Sequence, residues 1–131
     1  MESRTEKLIN IRPLIGANVN GLSLEIEHFQ NKTIRPILKF QNDLLIKVLK
    51  QYFLKHKNGF YSLNLEKRLA YIDHAILKDI KFRNALKGMI IGHFTIEEYE
   101  QYLIHSSALN KRMMALLVQR YQDQIQVFEI P

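Results

Sequence analysis

Residues 33–56 read TIRPILKFQNDLLIKVLKQYFLKH, and their apolar members recur at the helical period. Wound at about 100° per residue, Ile34, Ile37, Leu38, Leu45, Val48, Leu49, Tyr52 and Phe53 form one stripe. Lys39, Asp43, Lys47 and Lys50 take the opposite side. Thr33 offers an N-cap oxygen. Pro36 stands in the first turn, where a missing N–H costs nothing. Asn58-Gly59 supplies the stop. A stripe wider than about 100° needs more than one neighbour to cover it. The stretch predicts a long central helix and an all-α fold.

The flanks extend that pattern. Glu2 to Ile11 reads as a short amphipathic helix, ended before Pro13 because the residue preceding proline resists the α region. Pro13 to Gly21 reads as a loop, and Ser23 as the cap of a short helix through Phe29 and Gln30. Asn64 caps a helix from Leu65 to Lys78. Asp79 either caps the next helix or marks a bend, and Phe82, Ala85, Leu86, Met89 and Ile90 then share a face that ends near Gly92. Thr95-Ile96-Glu97-Glu98 has the spacing of a capping box, in which Thr95 accepts from the third amide and Glu98 reaches back. Ser106 or Ser107 starts a last helix bearing Leu109, Met113, Leu116, Leu117 and Tyr121. The tail from Ile125 to Pro131 partly alternates apolar and polar, so it reads as an extended segment lying on the helices. The expected architecture is a single-domain all-α bundle of five to seven helices over residues 1–131.

Composition narrows the function. The 131 residues contain no cysteine, which removes disulfides, thiolate zinc sites and a cysteine nucleophile. No signal-peptide core follows the charged N-terminus, and no segment approaches the roughly 20 apolar residues of a membrane span. A cytoplasmic protein with no membrane association is expected. Charge is uneven: Lys32 to Lys87 holds thirteen Lys and Arg against four acids, a net of +9, while the remainder nets −3. A basic centre attracts an acidic protein, nucleic acid or anionic lipid, and it also keeps a surface soluble.

Four polar residues interrupt the apolar stripes. Gln41 falls between Ile37 and Val48, Asp73 between Leu69 and Leu77, His93 extends the Phe82–Leu86–Met89 face, and Arg120 lies one turn past Leu116 and Leu117. Burying such groups is costly unless they find partners. A converging Gln41, Asp73, His93 and Arg120 is therefore expected, with Asp73 and Arg120 as a bidentate pair. Such a cluster either fixes helix docking or anchors a small polar molecule.

The other chemistry-bearing residues yield less. Glu25-Ile-Glu-His28 has the Glu-x-x-His spacing of a carboxylate-bridged dimetal bundle, but the second copy that such a site requires is missing. His56 and His74 fall on polar sides. No nucleophile elbow, phosphate-binding glycine loop or dinucleotide fingerprint occurs, and serines near predicted helix starts are explained as caps. No metal or cofactor is expected. The basic face of Arg35, Lys39, Lys47 and Lys50 is the expected partner-binding surface. Lys78, Lys81, Arg83 and Lys87 form a second basic group. A helix-turn-helix over Asn64 to His93 lacks its short glycine-bearing turn, so a protein partner or homo-oligomer is favoured over nucleic acid. Tyr99, Tyr102 and Tyr121 mark a partner surface, tyrosine being enriched at interfaces. The reading is a non-enzymatic interaction protein, with a small-molecule-binding or enzymatic bundle as its alternative.

Residues 29–43, FQNKTIRPILKFQND, resemble a segment of a group of short uncharacterised bacterial all-helical proteins, and the likeness extends through GMIIGHF at 88–94 to Tyr99. Some members of that group carry a glyoxalase label. The label implies metal-dependent isomerisation of a thiohemiacetal, on a fold that places His and Glu ligands on strands of paired βαβββ units. This chain reads as helices, and no ligand position is carried over.

Overall fold

A computed structural model describes residues 2–13 and 25–130. The expected loop from Pro13 to Gly21 and the Ser23 cap therefore lie, but for Pro13, outside the described residues. Seven helices are present among those residues, with no strand. Helix α1 is Arg4–Ile11, capped by the Ser3 hydroxyl accepting from the Glu6 amide at 3.2 Å. Helix α2 is built in unbroken succession from Glu25–Phe29, a π-turn at Gln30–Ile34, and Arg35–Phe40. Helices α3 (Asn42–Lys55), α4 (Leu65–Lys78), α5 (Ile80–Ile91), α6 (Ile96–Ile104) and α7 (Ser106–Asp123) follow.

The helical stretch at 33–56 differs from its sequence reading in two respects. Thr33 is not a cap. The chain enters helically from Glu25, and Thr33 is buried inside the π-turn. The stretch also divides at Gln41, whose φ of −85° and ψ of 0° separate α2 from α3. Its apolar stripe survives the division: Ile34, Ile37, Leu38, Leu45, Leu49 and Phe53 are buried, and Val48 and Tyr52 are half-buried. After Lys55 the left-handed positions are Lys57 (φ 63°) and Asn58 (φ 56°), with the Asn58 amide bonded back to the Phe53 carbonyl at 2.8 Å. Gly59 takes an ordinary negative φ.

The caps at Asn64, Asp79 and Thr95 follow the sequence, whereas neither Ser106 nor Ser107 caps α7: Ser106 is its first helical residue, and His105 before it makes no side-chain cap hydrogen bond. Asn64 accepts from the Lys67 amide, and Asp79 accepts from the Phe82 amide. Thr95 and Glu98 complete both halves of the capping box. Helix α7 packs on α4, α5, α6 and the π-turn. It buries Leu109, Met113, Met114, Leu117, Val118 and Tyr121. Each fully buried side chain of this size contributes roughly 1.5–3 kcal/mol. The expected extended tail is instead a 3-10 turn at Ile125–Phe128. One turn suffices to insert Phe128 edge-on to Phe53, Phe60 and Tyr121, where it is fully buried. A single strand would have left its backbone without a partner.

Candidate anion-binding groove

Arg120 sits near the end of α7 and is half-buried. Its Nε donates to Asn42 Oδ1 at 2.8 Å, at the first residue of α3. An arginine can only donate, so Asn42 must turn its oxygen inward. The Asn42 amide nitrogen then donates to Gln124 Oε1 at 2.9 Å, and Gln124 Nε2 returns to Asn42 Oδ1 at 2.8 Å and to the Arg120 carbonyl at 3.1 Å. This ring of neutral amides fixes the guanidinium without neutralising it. Burial holds the arginine's pKa below its ordinary value.

Arg120 faces an open groove of about 320 Å³ between α2 and α7. Its floor is Leu38 and Leu116, and its rim carries Arg35, Lys39, Arg120 and Asp123. Two residues expected to bind a partner, Arg35 and Lys39, thus share a groove with one residue expected to bind a ligand. Arg35 and Lys39 are four apart on α2 and project to the same side. Lys47 is exposed and Lys50 half-buried on α3, outside this groove.

The other members of the expected polar cluster are dispersed. Gln41 is half-buried at the α2–α3 junction, its amide 3.5 Å from the Met89 carbonyl. It adjoins Asn42 in sequence, but no hydrogen bond joins it to Arg120 among the described residues. His93 follows α5 and is half-buried, its ring 5.5 Å from that of Phe40, beside Gln41. Burial, then the charges of Arg12 and Arg4, depress the His93 pKa. Asp73 departs from expectation. It is exposed, and it lines a separate shallow groove with Leu77, Arg83 and Lys111. The expected Asp73–Arg120 ion pair is absent among the described residues. The buried centre of α4 runs through Ile72, Ala75 and Ile76, which places Asp73 about 100° from Ile72, on the stripe's flank.

The polar group that the interior satisfies is a different one. Arg12 donates from both terminal nitrogens to Glu98, and one of them also reaches the His93 carbonyl at 2.9 Å. Glu98 accepts further from the Thr33 hydroxyl at 2.8 Å and the Thr95 amide at 2.9 Å. Burial pushes the Glu98 pKa up, but Arg12, Thr95 and Thr33 outweigh it, so the carboxyl titrates below its ordinary value. Arg4 adds hydrogen bonds to the Phe94 and Gly92 carbonyls at 2.7 and 3.0 Å, fastening α1 to the α5–α6 connection. The capping-box spacing exposed Glu98 in the sequence. Nothing local marked Arg12 as its partner, because the pairing spans the chain. Glu98 is engaged by Arg12, Thr33 and Thr95, so this network holds structure, and the Arg12 Nε is its one buried nitrogen without a hydrogen-bond partner among the described residues.

Of the tyrosines expected at a partner surface, Tyr99 alone is exposed. Tyr102 and Tyr121 are buried, donating to Asn110 Oδ1 at 2.6 Å and to the Leu45 carbonyl. No group of three His, Asp or Glu side chains among the described residues is placed to hold a metal ion. No described helix is long and apolar enough to cross a membrane. Comparison with protein-family models, with curated proteins and with solved structures finds no significant match.

Proposed function

We propose that this protein is a non-enzymatic helical interaction protein that binds an acidic protein partner through its basic face. One observation carries the reading: Arg35, Lys39 and the half-buried Arg120 line one groove against a single carboxylate, Asp123. A guanidinium withdrawn from water without a carboxylate partner is unfavourable in the free protein, and an arriving anion relieves that cost. Lys47 and Lys50 extend positive charge along α3 and would steer an acidic partner toward the groove. The reading places the protein in the cytoplasm, in keeping with its cysteine-free sequence.

A polyglutamate peptide tests it. Fluorescence anisotropy should report binding that weakens steeply between about 50 and 500 mM salt, where the Debye length contracts from roughly 14 to 4 Å. Replacing Arg35, Lys39, Lys47 and Lys50 together with glutamine should abolish it. Binding indifferent to ionic strength, or no binding at all, would exclude this reading.

A second reading keeps Arg120 as the anchor of a small polar ligand. Its support is the concavity: the groove's volume reaches the lower end of the small-molecule range.

A further inference from the structure

Both arginines of the groove donate Nε to a neutral amide, although Arg35 is exposed and bonded one turn back on its own helix and Arg120 is half-buried and bonded across to α3. Arg35 donates its Nε to Asn31 Oδ1 at 2.9 Å, and Arg120 donates its Nε to Asn42 Oδ1 at 2.8 Å. Both partners are neutral amides. Neither arginine has a salt bridge among the described residues, and neither terminal amine pair makes a hydrogen bond there. Each guanidinium is therefore oriented along one edge while its charge and its terminal N–H groups stay unspent. A free surface arginine lacks this restraint, and an arginine paired with a carboxylate lacks the free charge.

The groove's charge selects among anions. Arg35, Lys39 and Arg120 against Asp123 leave a net of +2. A carboxylate brings one negative charge and two oxygens, enough for one bidentate fork. A phosphate monoester brings about −1.5 to −2 near neutral pH and three terminal oxygens. From the two amide-held forks and this net charge, we infer that the groove between α2 and α7 takes a phosphate monoester dianion, with Arg35 and Arg120 gripping its oxygens and Lys39 supplying a further point charge. The inference rests on the reading of this groove as the partner site, and it narrows the acidic group to a phosphoryl group. That group is carried either by free phosphate or by a phosphorylated side chain.

Isothermal titration at low ionic strength with inorganic phosphate, O-phosphoserine and acetate decides it. Phosphate and O-phosphoserine should bind, and acetate should not. Tighter binding of O-phosphoserine than of phosphate assigns the source to a phosphorylated side chain, and the reverse assigns it to free phosphate. Arg120→Gln and Arg35→Gln should each weaken phosphate by about tenfold or more. Asn42→Asp should do the same while retaining every cation, because the new carboxylate neutralises Arg120 from behind. Lys7→Gln, which removes an exposed cation on α1 outside the groove, should leave the affinity unchanged. If Asn42→Asp fails to fold, Arg120→Lys decides instead. It keeps the charge, removes the fork, and should also weaken phosphate. Equal binding of acetate and phosphate, or full phosphate affinity in folded Asn42→Asp or in Arg120→Lys, overturns the inference. No phosphate binding alongside salt-sensitive polyglutamate binding overturns it and leaves the broader reading standing. Loss of both removes both.

Discussion

Arg12 and Glu98 lie 86 positions apart and meet in a two-pronged ion pair, Nη1 and Nη2 donating to the two carboxylate oxygens at 2.6 and 2.5 Å. Their side chains are only 9% and 12% exposed, so solvent screens the contact weakly. The pair ties the segment after α1 to the first turn of α6, and Thr33 brings the π-turn of α2 to the same carboxylate. Removing one partner strands the other. Glu98→Ala should lower unfolding free energy by about 3–5 kcal/mol, measured by urea denaturation. A loss under about 0.5 kcal/mol, the range of ordinary surface substitutions, would show that the pair does not hold these elements together.

Acid should destabilise the fold in two stages. The His93 pKa is depressed in the folded chain, so the unfolded chain binds the extra proton first. Stability then falls as pH drops below the ordinary histidine value, about 6.5, toward the folded one. Glu98 is likewise depressed, and its contribution is present above the ordinary glutamate value, about 4.3, and lost as pH falls through its folded value. His93→Gln should flatten the upper stage and leave the lower one. Thermal melts between pH 7 and pH 3 provide the measurement, and an unchanged upper slope in His93→Gln would assign that stage to another group.

Phe128 is the fully buried anchor of the C-terminal turn, and Ile125 packs partly buried against the same core. Phe128 is fully buried among Phe53, Phe60 and Tyr121, with centroids 5.6, 6.3 and 6.1 Å away. Phe128→Ala should cost about 3–5 kcal/mol, the range for emptying an aromatic site in a packed core. If the variant melts like the parent, Phe128 does not dock where the structure places it.

Asp73→Asn gives the opposite expectation. An aspartate buried against Arg120 would strand a charge when neutralised, but Asp73 is exposed and has no ion-pair partner among the described residues. The change should stay within about ±0.5 kcal/mol. A loss of several kcal/mol in chemical denaturation would return Asp73 to the interior.

Periodicity and caps were legible because they are local. A side chain's helical phase, an N-cap oxygen and the Thr95–Glu98 spacing each involve a few adjacent residues, and Asn64, Asp79 and Thr95 cap as their types indicate. Phase loses force at the edges of a stripe. Asp73 and Arg120 occupy similar flanking positions in sequence, yet one is solvated and the other half-buried, because only Arg120 has the start of α3 packed over it. Thr33 misled for a related reason. Its hydroxyl suits a cap, but a buried carboxylate from α6 was the stronger claim on it.

The chain's own pattern determined that it would be helical, roughly where each helix would run, and which faces would turn inward, since these follow from backbone geometry and the spacing of apolar side chains. Tertiary packing decided which polar groups would meet. The Arg12–Glu98 pair and the amide ring behind Arg120 join residues 78 to 86 positions apart. Hydrogen-bond partnership at that separation depends on how helices stack, and stacking is a property of the whole assembled core rather than of any one segment.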